Sequence, residues 1–240
     1  MQNRTVVAAG VLGALLALGV VAGSFLMGGA LVRFKMADRN VVVRGFAERN
    51  VEADLAIWPI VFQNTANDLT ELQRLVDLHD AQIRGFLKAQ GFEDGEISSM
   101  PPQITDRKTQ PGMDPGVKLD ERYMAQTAIT LRSSKMGEVK VAMRKSGELV
   151  RKGIVLAQDY SLVPEFLFTK LDEIKPEMVA EATRSARAAA EQFAKDSGSR
   201  VGGIQRAEQG YFSIEDRDKG SPDHKKIRVV TTISYSLENP

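Results

Sequence analysis

A stretch of about 27 residues without a charged side chain, Val6 to Val32, constrains this chain more than any other feature. As an α-helix that rises about 1.5 Å per residue it would span roughly 40 Å, more than the hydrocarbon core of a bilayer. The apolar core of a cleaved signal peptide is shorter, about 7 to 15 residues, and ends at a small-x-small site. Only Val21–Gly23 and Gly28–Ala30 resemble such a site weakly. The stretch therefore predicts an uncleaved signal-anchor helix at 6–32, with a cleaved leader as the alternative.

The charges that flank this stretch leave its orientation open. Arg4 precedes it, whereas four basic residues follow it between positions 33 and 44. The positive-inside rule would then keep the larger part of the chain in the cytoplasm. The rule is a bias, however, and long domains often translocate regardless of flanking charge. Residue counts alone do not decide between the two sides.

Composition removes several classes of function. The chain has no cysteine, which excludes disulfides, thiol nucleophiles, zinc-thiolate sites and iron–sulfur ligation. Its formal net charge is only +1, so nothing suggests a nucleic-acid partner. We expect a cytoplasmic N-terminus at 1–5, the anchor at 6–32, a linker at 33–39 and one soluble domain at 40–238.

Residue patterns predict alternating strands and helices through the soluble part. Helix signals are apolar spacings of three and four residues, and strand signals are alternation and β-branched residues. The predicted strands are 40–47, 51–63, 96–105, 122–132, 160–169, 201–214 and 227–237, and the predicted helices are Leu69 to Gly91, Ser134 to Gly153 and Pro176 to Gly198. This order predicts an α+β fold of duplicated β-α-β units with mixed sheets and packed helices, preceded by one transmembrane helix.

Small residues mark candidate assembly contacts. Gly19 and Gly23 form a G-x-x-x-G pair that permits close helix approach in a membrane, although such pairs are common in membrane helices. Trp58 precedes a proline in the second strand, which suggests an edge or a bulge where subunits could meet. The last helix carries a ridge of four alanines at four-residue spacing, either an internal packing surface or a subunit contact: Ala182, Ala186, Ala190 and Ala194.

Residues with catalytic or ligating chemistry are few and scattered. His79 lies on an apolar helix stripe and is predicted to be buried and hydrogen-bonded, whereas His224 is predicted to be solvated in a turn. Asp120 and Glu121 invite a general acid/base role, and with Asp114 they could hold calcium, but their spacing matches no EF-hand loop. We therefore assign no catalytic, cofactor-binding or metal-binding residue, and expect no cofactor.

The stretch 135–152 is the most basic in the chain, with six lysines and arginines. Helical spacing would place several of them on one face, where they could contact anionic lipid or an acidic surface of a neighbouring subunit. A solvated helix face is the alternative.

Three segments resemble the SIMPL domain family of bacterial envelope proteins, including the periplasmic immunogenic antigen group. They are V-V-V-R-G at Val41 to Gly45 with the alternating strand after it, L-K-A-Q-G-F at Leu87 to Phe92, and A-R-A-A-A-E-Q-F-A-K-D-S-G-S-R-V-G-G at Ala186 to Gly203. The resemblance covers Asn40 to Leu237. It implies an α+β domain, usually periplasmic, without established catalytic residues. It also implies closed homo-oligomeric rings and a link to oxidative stress resistance.

The expected function is a non-enzymatic scaffold anchored in the bacterial inner membrane, with its soluble domain in the periplasm and itself as partner. A cytoplasmic location of that domain is the alternative topology. A channel-like pore in the envelope and a hydrolytic enzyme that uses carboxylates are the alternative functions.

Overall fold

The computed structural model describes residues 13, 18–21, 23, 24, 39–109 and 120–239. The described chain forms ten β-strands: β1 Asn40–Glu52, β2 Leu55–Ala66, β3 Ile97–Ser99, β4 Gln103–Asp106, β5 Tyr123–Ser133, β6 Val155–Leu156, β7 Glu165–Leu167, β8 Arg200–Gln209, β9 Ser213–Asp216 and β10 His224–Glu238. Between residues 39 and 239 it also describes four α-helices: α1 Leu69–Ala89, α2 Met136–Lys145, α3 Gly147–Arg151 and α4 Leu171–Asp196. The predicted α+β class with packed helices is confirmed.

The chain divides into two compact units. Unit 1 comprises Met1–Glu48, Pro176–Phe212 and Arg228–Pro240, and unit 2 comprises Arg49–Lys175 and Ser213–Ile227. Each unit therefore draws on segments that are distant in sequence.

Unit 1 is built on strands in the order β1, β10, β8. Side chains alternate along β1, with Val43 buried and Val42 and Phe46 exposed, because one face of the strand is covered. The covering element is α4, and the shared core consists of Val43, Ala186, Ala190, Ile233 and Tyr235. On the uncovered face the Arg228 guanidinium lies 5.5 Å from the centroid of the Phe46 ring.

Unit 2 is built on a six-stranded sheet in which β3, β5, β2 and β6 lie in that order, with β4 added to β5 and β7 added to β2. Its strand pairs are antiparallel, and the longest ladder joins β2 to β5, from Ala56 opposite Ser133 to Ala66 opposite Tyr123. Helix α1 begins at its N-cap Asp68, whose carboxylate accepts from two backbone N–H groups. Four residues of the predicted apolar stripe, Leu72, Val76, Ile83 and Phe86, are buried together with Leu87, whereas Leu69 at the start of the stripe is 49% exposed.

Glycines end α1, α3 and α4 as the sequence predicts. Gly91, Gly153 and Gly198 have φ values of +93°, +86° and +63°, a backbone region that favours glycine. After α1, the Phe92 nitrogen donates to the Leu87 oxygen at 3.2 Å and the Gly91 nitrogen donates three residues back. This pair of bonds satisfies carbonyls at the helix end, and equivalent pairs close α3 and α4.

The predicted helix from Ser134 to Gly153 is wrong in its continuity. It consists of two helices, α2 and α3, and the N-cap of α2 is Lys135. The Ser146 nitrogen bonds to the Met143 oxygen, and the Leu149 nitrogen bonds to the Ser146 oxygen. These bonds span three residues instead of four, so the backbone tightens at the junction and the α-helix is interrupted.

Proline residues displace two other predicted boundaries. Pro176 does not open α4, because the helix begins at Leu171 and Pro176 lies inside it. Acidic residues at Asp172 and Glu173 stabilise the first turn through the helix dipole. The predicted strand 96–105 is interrupted at Pro101 and the residue after it, since proline cannot donate to a ladder.

The predicted strand 160–169 shrinks to β7, Glu165–Leu167. Its first half is a turn, because Asp159 Oδ1 accepts hydrogen bonds from both the nitrogen and the hydroxyl of Ser161. An aspartate that bonds two residues ahead competes with strand pairing.

Candidate functional site

Most of strand β8 is exposed on both faces. Every residue from Gly203 to Gln209 is exposed, including Ile204 at 54%. Along the neighbouring β10, by contrast, alternate residues such as Ile233 and Tyr235 are buried beneath α4. The helix therefore covers β10 and the start of β8, where Val201 packs against the same core, and leaves residues 203–209 of β8 in solvent.

One edge of β8 is also open, since β10 is its single neighbour among the strands that the structure describes. The Gly210 nitrogen donates to the Val230 oxygen at 2.8 Å, so this residue directs its backbone groups toward β10. Directions alternate along a strand, and the register is regular from Gln209 back to Arg206. Ala207 therefore directs its N–H and C=O away from β10, and an edge of this kind is a template for strand addition.

A charged pair brackets the outward-facing residue. Arg206 Nη2 and Glu208 Oε1 are 2.5 Å apart, and their side chains are 78% and 58% exposed. The two residues flank Ala207 and share one face of the strand. An exposed pair of this type contributes little to the stability of the single chain, about 0 to 1 kcal/mol.

The alanine ridge of α4 lies inside unit 1. Ala182, Ala186 and Ala190 have no exposed surface and Ala194 is 2% exposed. Ala186 and Ala190 pack on β1 and β10, so the internal alternative accounts for their burial. In the single chain the ridge offers no surface to another subunit.

Trp58 belongs to the core of unit 2 and is 7% exposed. Pro59 lies between the stretches of β2 that pair with β6 and with β7. The Val61 oxygen accepts from the Ala157 nitrogen on the edge of β2 that pairs with β6 and β7. Pro59 lies two residues earlier, so its backbone groups point to the same edge. β2 has neighbours on both sides, and the missing N–H of Pro59 falls at the gap between β6 and β7, where an open groove borders it.

Gly19 and Gly23 are helical and exposed, and a Cβ atom added at either would meet nothing within 4 Å. Most of the predicted anchor, 6–32, lies outside the described residues. The part of the chain that the structure describes contains no helix long and apolar enough to cross a membrane.

The acidic candidates Asp120 and Glu121 lie just before β5. Asn67 holds this segment by donating to the Asp120 oxygen and accepting from the Arg122 nitrogen. Arg122 makes a bidentate contact with Asp106, with Nη2 and Oδ2 2.7 Å apart, and its guanidinium lowers the pKa of that carboxyl. Asp114 lies outside the described residues. Within residues 39–109 and 120–239, no cluster of three or more acidic or histidine residues is placed to hold a metal ion.

Half of the basic stretch is paired within unit 2. Lys135 Nζ lies 3.1 Å from Glu96 Oε2, and Lys140 forms an ion pair with Asp223. The hydrogen bond from Lys140 lowers the pKa of Asp223. Lys145 donates to the side chain of Gln90. These contacts hold α2 in place, which reduces the positive charge available to lipid.

The two histidines differ from their predicted surroundings. The Nδ1 atom of His79 is buried and makes no hydrogen bond to the described chain, and burial lowers the pKa of this imidazole. His224 is the first residue of β10, with Nε2 3.7 Å from Glu52 Oε1 and Nδ1 3.3 Å from Asp223 Oδ1. The two side chains show no shared geometry that would suggest a catalytic pair.

The family model of SIMPL, described as "Protein of unknown function (DUF541)", matches residues 41–232. The chain belongs to the SIMPL family. No curated protein matches it. The match begins within one residue of the start of β1 and reaches into β10, so it covers both units of this SIMPL chain.

The segments that carry the SIMPL resemblance are packing segments. Gly45 of V-V-V-R-G lies against Ala186, where the alanine-rich segment begins. Leu87 is buried in unit 2, and the residues after it form the glycine end of α1. The residues that carry the resemblance are therefore residues that pack and terminate the elements of the SIMPL fold.

Sequence reasoning predicted a strand at β8 but missed its exposure. The available signal was the segment Q-R-A-E-Q at 205–209, which has no large apolar residue on either face. A strand that lacks an apolar face has nothing to bury, so it is expected at an edge of this SIMPL sheet.

Proposed function

We propose that this SIMPL chain is a non-enzymatic envelope protein that assembles with copies of itself. It is anchored in the bacterial inner membrane through residues 6–32, its soluble domain faces the periplasm, and its assembly is a closed homo-oligomer such as a ring. The observation that carries the proposal is the stretch 203–209 of strand β8, which has both faces exposed and, among the described strands, a neighbour on one edge alone.

Exposed apolar side chains in unit 1 support self-assembly. Phe193 on α4 is 60% exposed, Ile204 on β8 is 54% exposed and Tyr211 just after β8 is 99% exposed. Single exposed apolar residues are ordinary on a monomer, but here they accompany an unpaired strand edge. Assembly would remove both from water.

The finer features of the proposal rest on the sequence. The length of the uncharged stretch supports the transmembrane helix, and the resemblance supports the periplasmic side, the ring and the link to oxidative or envelope stress. The duplication of β-α-β units is supported by the presence in each unit of a sheet with a helix packed on it.

Light scattering on the full-length protein in detergent tests the proposal. We expect a protein molar mass that is a fixed multiple of 26.3 kDa and holds down to low micromolar concentration. A molar mass equal to one chain at high micromolar concentration would overturn it. A reporter fused after Pro240 tests topology, and activity confined to the cytoplasm would contradict the periplasmic assignment.

A further inference from the structure

The open edge of β8 has a short regular stretch that a partner strand could pair with. Toward the N-terminal end, the register skips Gln205 between Arg206 and Ile204, which is a bulge. Toward the C-terminal end, the strand stops at Gln209. Gly210 follows it and lies so close to β10 that a Cβ there would be 2.8 Å from the Val230 oxygen. Arg206 to Gln209 thus form an unbulged edge with Ala207 facing outward.

The residues of this edge complement themselves. In an antiparallel pair of two β8 strands centred on Ala207, Arg206 of each copy lies opposite Glu208 of the other, and Gln205 lies opposite Gln209. Opposite charges at directly opposed positions stabilise a strand pair. Centring the pair on Gln205 or Gln209 instead places Arg206 opposite an apolar residue and leaves Glu208 opposite glycine.

Backbone direction permits this centre. Two copies related by a twofold axis at Ala207 would each donate this residue's N–H to the other's C=O, because both groups point away from β10. An axis at Arg206 or Glu208 would oppose residues whose backbone groups are directed at β10. Backbone direction therefore excludes Arg206 and Glu208 as the centre, and side-chain charge selects Ala207 over Gln209.

We propose that β8 joins two copies of this chain by antiparallel pairing about a twofold axis at Ala207. The inference rests on the proposed self-assembly and names its contact. The two sheets would become continuous across the axis, and the Arg206–Glu208 pair within each strand would be exchanged for two pairs between copies. The partner is thus a second copy, selected by its charge pattern.

Single-cysteine cross-linking tests the register directly, because the chain has no cysteine of its own. Opposed residues of a hydrogen-bonded pair have Cα atoms about 5.5 Å apart, within the range of a disulfide. We expect full-length Ala207→Cys to give a reducible covalent dimer under mild oxidation. Gln209→Cys is the matched control, since its two copies would be four residues out of register, about 13 Å apart, and should stay uncrosslinked.

Charge exchange tests the specificity of the same contact. Arg206→Glu and Glu208→Arg each place two pairs of like charges opposite one another at every twofold contact. We expect the protein concentration below which the assembly dissociates to rise at least tenfold in each variant. An equimolar mixture of the two variants opposes unlike charges again, so it should recover the wild-type molar mass. Lys219→Glu, an exposed turn residue, is the control for a change of net charge and should leave the assembly intact.

The outcomes separate the two proposals. If wild-type protein is a monomer by light scattering, self-assembly and the β8 contact both fail. If wild-type protein is oligomeric but Ala207→Cys cross-links no better than Gln209→Cys, or the mixture of charge variants fails to recover, the β8 contact is overturned and self-assembly stands. Selective cross-linking at Ala207 together with recovery in the mixture supports the contact.

Discussion

Gly45 of β1 lies directly against the backbone of α4 at Ala186. A Cβ atom at Gly45 would overlap the Ala182 carbonyl oxygen and the Ala186 nitrogen, and would lie 2.8 Å from the Ala186 Cβ. Glycine on the strand and alanine on the helix therefore let the two backbones approach more closely than larger residues would allow. Two segments distant in sequence meet here, and unit 1 depends on that approach.

We predict that Gly45→Ala destabilises the protein by at least about 1 to 3 kcal/mol, the usual cost of overpacking, because rigid backbone atoms occupy the space. Urea unfolding followed by circular dichroism measures the loss. Gly203→Ala is the matched control, since a Cβ there meets nothing within 4 Å. Equal stability of the two variants would contradict the close approach.

Ala186→Leu should also lower the free energy of unfolding, by about 1 to 3 kcal/mol, because Ala186 has no exposed surface within unit 1. Ala188→Leu on the exposed side of the same helix should change it by less than about 0.5 kcal/mol. Melting of both variants under identical conditions provides the comparison. A variant that dissociates the assembly without loss of subunit stability would show that the ridge packs between subunits.

Stability should depend on His79 between mildly acidic and neutral pH. Burial lowers the pKa of His79 in the folded chain, whereas an unfolded histidine titrates near 6.5. Between these two values the unfolded chain binds more protons, so the free energy of unfolding falls as pH drops below about 6.5. Urea unfolding from pH 5 to 8 should show a shallower slope for His79→Leu than for the wild type. Identical slopes would contradict the burial of the neutral imidazole.

Removing the Lys140 ammonium should weaken the acid side of the stability profile. Lys140 lowers the pKa of Asp223, so this ion pair contributes above the unfolded value of 3.8 and is lost as pH falls through the folded value. We expect Lys140→Gln to cost about 1 kcal/mol or less at pH 7, and nothing once Asp223 is protonated. Arg144→Gln, an exposed residue one turn along α2, is the control.

The uncharged stretch at 6–32 should remain part of the mature protein. Intact-mass spectrometry of membrane-purified protein should give the full 26.3 kDa chain, apart from any loss of the initiator methionine. A mass that lacks roughly the first 20 to 35 residues would identify the stretch as a cleaved leader.

The sequence predicted the ends of helices better than their continuity. Gly91 and Gly198 end helices as predicted, because a positive φ at the residue after a helix is a local property of glycine. Pro176 misled the prediction of α4, since the helix already begins at Leu171, one turn before the proline. The residue at which a helix begins depends on its tertiary contacts, and a proline alone does not predict those contacts.

The sequence did not predict the contact proposed at Ala207. Trp58 and the alanine ridge are recognisable as packing residues from the sequence, and the structure places both in cores. Ala207 does not stand out, because its importance lies in the direction of its backbone groups. That direction follows from the register with β10.

The sequence by itself determined the α+β class, the apolar stripe of α1, the glycine helix ends and the SIMPL family. Each arises from interactions between residues that are close along the chain, or from composition that any local window reveals. Only the tertiary structure decided that Gly45 meets Ala186, that Lys140 pairs with Asp223 and that β8 keeps an open edge. These features depend on which distant segments come together as the apolar faces are buried. Local sequence propensity does not determine those long-range contacts.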